Sequence, residues 1–98
     1  MDKRRKPIDK DLIRQQRDEL DAAIARGELS LQEALKRMRK ISRLTQVEFA
    51  AHRGVSVKVI KEIERGIANP TVNTLNQIGS IFGLRVGFVR VGAEALPA

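Results

Sequence analysis

The chain has 98 residues, which suits one domain with a modest hydrophobic core, and a formal net charge of +7. This charge favours an acidic partner: nucleic acid first, then an anionic membrane surface or an acidic protein. The sequence has no Cys, Tyr or Trp and a single His, His52, so disulfides, thiolate nucleophiles and cysteine zinc sites are excluded. We therefore expect a non-enzymatic protein without a cofactor or a metal.

The N-terminal run MDKRRKPIDKD is basic and has no apolar stretch behind it, so it does not resemble a secretory signal. No apolar run approaches the roughly 20 residues that span a bilayer. We expect a cytoplasmic protein with no membrane partner. The cations at positions 3–6 fit either a solubilising chain end or an arm that tracks phosphates.

Two helices are predicted in the first half of the chain. Residues 9–26 carry apolar side chains at helical spacing, and Gly27 is a plausible C-terminal stop. Ser30 and Glu33 form a capping-box pattern, which starts the second helix near Leu31. The apolar stripe of this second helix consists of Leu31, Ala34, Leu35, Met38 and Ile41.

The remaining faces of the second helix are basic. The cations, with no acid between them, are Lys36, Arg37, Arg39, Lys40 and Arg43. Positive charge near a helix C-terminus is favoured by the helix dipole, so a solvated surface is the simple interpretation. Beside a DNA-reading motif the same cluster supplies candidate phosphate contacts, of which we single out Lys36, Lys40 and Arg43.

Three shorter helices follow. The TQVE pattern at 45–48 is a second capping box and starts a helix that ends before Gly54. Ser56 caps the next helix, and Thr71 caps a last one that Gly83 ends. The apolar residues of the last helix are Val72, Leu75, Ile78 and Ile81 or Phe82.

Residues 84–91, LRVGFVRV, favour a β-strand because β-branched and aromatic residues roughly alternate with others. A lone strand is not stable, and no second strand-like segment occurs in the chain. We therefore expect pairing with the same strand of a second copy across a two-fold axis, which makes a homodimer. An unlike partner, or a chain end packed as coil, are the alternatives. The predicted dimer-strand residues are Leu84, Val86, Phe88 and Val89.

Residues 46–65, QVEFAAHRGVSVKVIKEIER, have the spacing of a helix-turn-helix. Ala50 is small where the two short helices cross, and Gly54 tolerates the positive φ that the turn needs. The apolar residues that bury the inner faces are Phe49, Val55, Ile60 and Ile63. The second helix therefore turns Lys58, Glu62 and Arg65 outward.

The N-terminal end of the second motif helix is the part that reaches base edges in the major groove. Lysine can donate to guanine, and valine can pack on a thymine methyl group. The predicted base-reading residues are Val57, Lys58, Val59 and Lys61. Because no Gln, Asn or Arg lies early in this helix, we expect DNA shape and phosphate contacts to contribute more than usual. The predicted phosphate contacts are Gln46, Arg65, Lys36, Lys40 and Arg43.

Residues 31–84 resemble the XRE family of Cro and lambda-repressor-type DNA-binding domains, on the motifs LTQ, GVS, IERG, NP and TL…I…FGL. The resemblance implies a five-helix domain whose helix from Ser56 reads the major groove, with dimers on palindromic operators. Two positions depart from the family pattern. Arg53 stands where an apolar residue usually packs under the turn, and Val57 stands where polar base-contacting residues are frequent.

The tail FGLRVGFVRVG is similar to that of HipB-type antitoxins. That resemblance implies a tail strand that pairs with its dimer mate, repression of the protein's own operon, and binding of a toxin kinase. The expected fold is all-α. It consists of a basic arm and extra N-terminal helix (1–29), a lambda-repressor-like helix-turn-helix domain (30–83), and a C-terminal strand and tail (84–98).

The expected function is that of a dimeric, sequence-specific repressor that binds double-stranded DNA. The narrower roles are an autoregulatory antitoxin and a phage-type or metabolic regulator without a toxin. A different class, a protein-interaction module that neutralises a partner without operator binding, would not need the basic clusters at 36–43 and 58–65. Both clusters are intact.

Overall fold

The computed structural model describes residues 7–90, and these residues form five α-helices and one 3-10 turn. The elements are α1 (Lys10–Ala25), α2 (Leu31–Ser42), α3 (Gln46–Arg53), α4 (Val57–Glu64), α5 (Val72–Gly79) and the 3-10 turn Ser80–Phe82. Helices therefore form in all five predicted places. None of the helices within 7–90 has the length and apolar character that crossing a bilayer requires.

The resemblance implied a domain of five helices and, in addition, an extra N-terminal helix. The structure corrects this expectation. The described residues contain five α-helices in all, and α1 is one of them. Residues 30–83 hold four α-helices and the 3-10 turn. Gly83, at a φ of 69°, ends that turn in the left-handed region, so no further helical turn follows it.

The predicted caps are confirmed by backbone hydrogen bonds. The Glu33 N–H donates to Ser30 Oγ at 3.1 Å, and the Ser30 N–H donates to the Glu33 carboxylate at 3.1 Å. Thr45 and Glu48 repeat this capping box, with distances of 3.1 and 2.9 Å. Each cap stabilises its helix by about 1 kcal/mol. The helix starts are therefore specified locally, within four residues of sequence.

The core draws a fully buried side chain from each of four helices: Leu20, Phe49, Ile60 and Ile78. Helix α2 adds Leu35, Met38 and Ile41, as its stripe predicted. Two predicted core residues are exposed instead, Leu31 at 51% and Val72 at 61%. Each is the first residue of its helix, where the side chain lies at the rim of the packed layer.

Helix α1 is part of this core because its Leu20 is completely buried. A second contact joins α1 to the other end of the chain: the Arg17 guanidinium lies 4.6 Å from the centre of the Phe82 ring. A cation over an aromatic face is attracted by the ring quadrupole. These two contacts show that α1 packs against the rest of the described domain.

The predicted β-strand does not form in the described part of the tail. Residues 84–90 contain no helix and no strand, and position 91 lies outside the described residues. The Leu84 N–H donates to the Gly79 carbonyl at 3.0 Å, and the Val86 N–H donates to Asn76 Oδ1 at 2.9 Å. A strand needs the backbone of a second strand, and within the single chain the amides of Leu84 and Val86 are instead bonded to α5. Of the four predicted dimer-strand residues, Leu84 and Val86 are half-buried, and Phe88 and Val89 are exposed.

We expect Leu20→Ala to lower the free energy of unfolding by about 2–5 kcal/mol, because it opens a cavity between α1 and the remaining helices. Leu12→Ala is the matched control on the same helix, since Leu12 is half-exposed. Urea unfolding followed by circular dichroism measures both. Equal, small losses in the two variants would contradict a structural role for α1.

Candidate nucleic-acid interface

The turn between α3 and α4 has the geometry that its sequence predicted. Ala50 is buried where the helices cross, and Gly54 has a φ of 71°. The Gln77 Nε2 group on α5 donates to the carbonyls of Arg53 and Gly54 at 2.9 and 3.1 Å. Glycine is favoured here by its positive φ, and a Cβ added at Gly54 would lie 2.8 Å from that nitrogen, so the end of the Gln77 side chain would have to move. Sequence reasoning missed Gln77.

Helix α4 presents a basic face to solvent. Its buried residues are Ile60, Ile63 and Glu64, and Lys58, Lys61 and Arg65 are exposed. Those three cations recur at i, i+3 and i+7, which places them on one side of the helix.

The four predicted base-reading residues are not equivalent in the structure. Lys58 and Lys61 lie on the exposed face of α4. Val57 and Val59 are half-buried and pack against the hydrophobic core. Only part of each valine side chain is therefore available to a base edge, and the two lysines carry most of the contact that α4 can offer.

The carboxylate of Glu64 is the polar centre of the motif, and sequence reasoning missed it. Glu64 is only 5% exposed. It accepts hydrogen bonds from Arg39 Nε at 2.6 Å, from Arg39 Nη2 at 3.0 Å and from Gln46 Nε2 at 3.1 Å. The Glu64 backbone carbonyl accepts a further one from Gln32 Nε2 at 2.7 Å. One residue of α4 is thus bonded to both α2 and α3.

A sequence signal for this site was present. Glu64 follows Ile60 by four residues and Ile63 by one, so it belongs to the inward face of α4, where an acid needs a partner. Arg39, which the sequence grouped with the surface cations, is that partner.

The Glu64 side chain is ionised despite its burial. Burial by itself raises the pKa of this carboxyl group, but the hydrogen bonds from Arg39 and Gln46 and the charges of Arg39 and Lys36 outweigh it, so its pKa lies below the usual value. The hydrogen bond to Glu64 in turn raises the pKa of Arg39. Removing one partner of such a buried pair strands the other charge, which costs about 3–5 kcal/mol.

The predicted phosphate contacts of α2 share one side of that helix. Lys36, Lys40 and Arg43 stand at i, i+4 and i+7. Lys36 is near enough to the end of α4 for its charge to act on Glu64. Lys40 lies in a shallow depression that α1 helps to form. Arg43 caps α2 at a φ of 61°, and its Nη1 donates to the Pro7 carbonyl at 3.4 Å.

The remaining two predicted phosphate contacts lie at the ends of the motif helices. Gln46 is the first residue of α3, and its amide nitrogen already donates to Glu64. Arg65 caps the C-terminus of α4 and is exposed. The structure therefore brings Gln46 next to the end of α4 and places Arg65 on the same face as the two lysines.

Arg53, the departure under the turn, is half-buried rather than extended to solvent. Its Nη2 lies 2.7 Å from His52 Nδ1. Its Nε and Nη1 are buried and have no hydrogen-bond partner among the described residues. A buried polar group without a partner costs about 1–3 kcal/mol, so this corner lowers the stability of the motif.

Comparison with known proteins agrees with this geometry. The model of the helix-turn-helix family matches residues 35–89. The immunity repressor protein of Bacillus phage phi105 is 32% identical over 68 residues, which are 69% of this chain and 46% of the repressor. The chain thus spans about half the length of that relative. No solved structure matches.

We expect Glu64→Gln to lower the free energy of unfolding at pH 7 by about 3 kcal/mol, because it leaves Arg39 buried without a counter-charge. The folded-state pKa of Glu64 is depressed, so its contribution is complete above the unfolded value of about 4.3 and is lost as the pH falls through the folded value. The stability difference between the two proteins should therefore shrink in acid.

Urea unfolding between pH 7 and pH 3 measures this difference. Glu28→Gln is the control, since Glu28 forms an exposed pair with Arg26 and its loss should barely move the urea midpoint. A Glu64→Gln protein as stable as the parent at pH 7 would contradict the assigned role of the pair.

We expect Arg53→Met to raise the free energy of unfolding by about 1 kcal/mol, because it removes two buried N–H groups without partners and keeps an unbranched apolar stem. Thermal unfolding measures the change. Arg37→Met, at an exposed position of α2, should stay within about 0.5 kcal/mol of the parent. A loss of stability in Arg53→Met would mean that the guanidinium has a stabilising contact.

Proposed function

We propose that this chain, which belongs to the helix-turn-helix family, is a dimeric and sequence-specific DNA-binding repressor of transcription. The family and the phage repressor both support a DNA-binding transcriptional regulator. The observation that carries the proposal is the exposed basic face of α4, held outward by a carboxylate that is bonded to two other helices.

In the proposed complex α4 enters the major groove with its N-terminal end against the bases. Lys58 and Lys61 donate to guanine O6 and N7, and the exposed parts of Val57 and Val59 meet thymine methyl groups. Because lysine offers point contacts rather than a bidentate fork, base reading is modest. DNA shape and deformability then supply part of the specificity.

Phosphate contacts surround this reading helix. Gln46 and the first amides of α3 approach one strand, since helix N-termini attract phosphate. Arg65 extends the contact beyond the end of α4. The cations of α2 follow the backbone further along: Lys36, Lys40 and Arg43.

Two copies on a palindromic operator would place their α4 helices about 34 Å apart, one turn of DNA. A dimer bound over a promoter excludes polymerase by occupying its site. We propose that the protein acts in this way as a dimer in the cytoplasm. The phage repressor is called an immunity repressor, and the chain covers only 46% of it.

Between the narrower roles we propose the phage-type regulator rather than the antitoxin. The similarity to HipB-type antitoxins covers only the tail residues FGLRVGFVRVG, and the strand that it implied is not formed in residues 84–90. The relative named above is a phage repressor. A toxin kinase partner is therefore not part of the proposal.

The test of the proposed function is selection of bound sequences from a random pool of double-stranded DNA, with the mass of the bound protein measured on the same sample. We expect an inverted repeat with half-sites about 10 base pairs apart. Salt-sensitive binding without an enriched sequence would instead favour non-specific attraction by the net charge of +7.

Two substitutions on α4 separate base reading from backbone contact. We expect Lys58→Ala to relax the base preference at one position of the half-site, at a cost of about 1–3 kcal/mol on the selected sequence. Arg65→Ala should weaken selected and random DNA alike, and should reduce the salt dependence of log K by about one.

Fluorescence anisotropy on both DNAs, at several salt concentrations, measures these effects. Arg14→Ala, an exposed cation of α1, is the control and should leave both affinities nearly unchanged. Unchanged base preference in Lys58→Ala would contradict the placement of α4 in the major groove.

A further inference from the structure

An apolar groove opens between α2, α5 and the start of the tail. Its walls are Leu31, Leu75, Leu84 and Val86, and its volume is about 170 Å³. Among the described residues that line it, Arg85 alone carries a charge. The groove is therefore a site for an apolar group rather than for a polar ligand.

The tail that forms one wall of this groove also carries an unburied aromatic ring. Phe88 is fully exposed, and Val89 next to it is largely exposed. The other two phenylalanines of the chain, Phe49 and Phe82, are buried. Adjacent exposed apolar surfaces of this kind are typical of interaction sites.

The size of the groove matches a phenyl ring. An apolar cavity of about 150 Å³ lined by aliphatic and aromatic side chains is large enough to bind benzene. At about 170 Å³ the groove has room for the side chain of one phenylalanine.

The ring of the same chain is badly placed to fill it. The Val86 N–H is held by Asn76 Oδ1 at 2.9 Å, and the Val86 side chain is itself a wall of the groove. Phe88 lies two residues further on, beside a second depression that Leu31 and Leu75 also line. To enter the groove it would have to reverse the chain at Gly87 against a fixed Val86.

We propose that Phe88 of a second copy inserts its ring into this groove, and that the two copies do so reciprocally. A two-fold axis makes this possible because each copy presents the same ring and the same groove. The inference specifies the dimer contact of the proposed function, and it replaces strand pairing by side-chain insertion. The contact is apolar, so it works against the repulsion between two chains of charge +7. Added salt screens that repulsion, so it should strengthen dimerisation while it weakens DNA binding.

Disulfide trapping tests the contact directly, since the parent chain has no cysteine. Leu29 lines the groove but not the second depression, and Val89 is exposed beside the ring, so Leu29→Cys and Val89→Cys are combined in one chain that keeps Phe88. Mild oxidation should give a covalent dimer joined at both positions. Ile67→Cys with Val89→Cys is the control, because Ile67 is exposed outside the groove, and it should give little covalent dimer.

Two results of the trapping would overturn the proposal. An internal disulfide that leaves the chain monomeric would show that Phe88 returns to its own groove. Absence of any disulfide, with the fold intact by circular dichroism, would show that the ring goes elsewhere.

Sedimentation of the unoxidised protein gives an independent measurement. Phe88→Ala should raise the dimer dissociation constant at least about tenfold, because it exposes two grooves that the rings had filled. Ile67→Ala, an exposed apolar control, should not. A dimer of unchanged affinity in Phe88→Ala would also overturn the proposal.

The DNA selection separates this failure from failure of the proposed function. If the parent protein selects an inverted repeat but the cysteine pair does not trap a dimer, DNA recognition stands and the groove contact falls. If the pair traps a dimer but no sequence is enriched, the groove contact stands and operator recognition falls.

Discussion

The hydrogen-bonded carboxylate of Glu64 is the contact on which the proposed DNA-facing surface depends. It lies at the end of α4 and accepts from Arg39 on α2 and Gln46 on α3. A rotation of α4 about its axis would separate the charges inside the protein, where an unpaired charge costs several kcal/mol. The direction of Lys58 and Lys61 therefore depends on an interaction at the buried C-terminal end of the same helix.

A second polar contact holds the turn of the motif. Gln77 on α5 donates to the carbonyls of Arg53, the last residue of α3, and of Gly54, its C-cap. The Gln77 contact precedes α4, the Glu64 contact involves its last residue, and Ile60 and Ile63 are buried between the two. Apolar packing alone tolerates small rotations of a short helix, whereas a hydrogen-bonded turn before the helix and a paired charge at its end restrict its orientation. That orientation is what a reading helix must preserve.

The features that the sequence predicted correctly are local ones. Capping at Ser30 and Thr45 depends on hydrogen bonds to a residue three positions away, and the turn at Gly54 depends on the φ of one residue. The features it missed are contacts between distant residues. Arg39 and Glu64 are 25 residues apart, so the spacing of neither helix showed that one cation of the surface cluster was a buried partner. The sequence therefore predicts where the proposed site lies, but it does not predict the hydrogen-bond network that orients α4.

The tail shows that an alternating pattern can be satisfied without a strand in the same chain. Alternation in 84–91 indicates that one side of the segment meets apolar surface, and Leu84 and Val86 do line a groove. A strand satisfies such a pattern only if a second backbone is present, whereas α5 supplies apolar surface and, in Asn76 Oδ1, an acceptor for the Val86 N–H within one chain.

Dimerisation through Phe88 would also couple to DNA binding. Each chain carries a charge of +7, so two copies repel one another in free solution. Phosphates that neutralise the cations of α2 and α4 remove part of that repulsion. Linkage is reciprocal. If DNA raises the association constant of the dimer by some factor, dimerisation raises the association constant for DNA by the same factor. An apolar dimer contact is therefore compatible with the proposed operator binding, because the phosphates of the operator supply the negative charge that offsets the repulsion between the two chains.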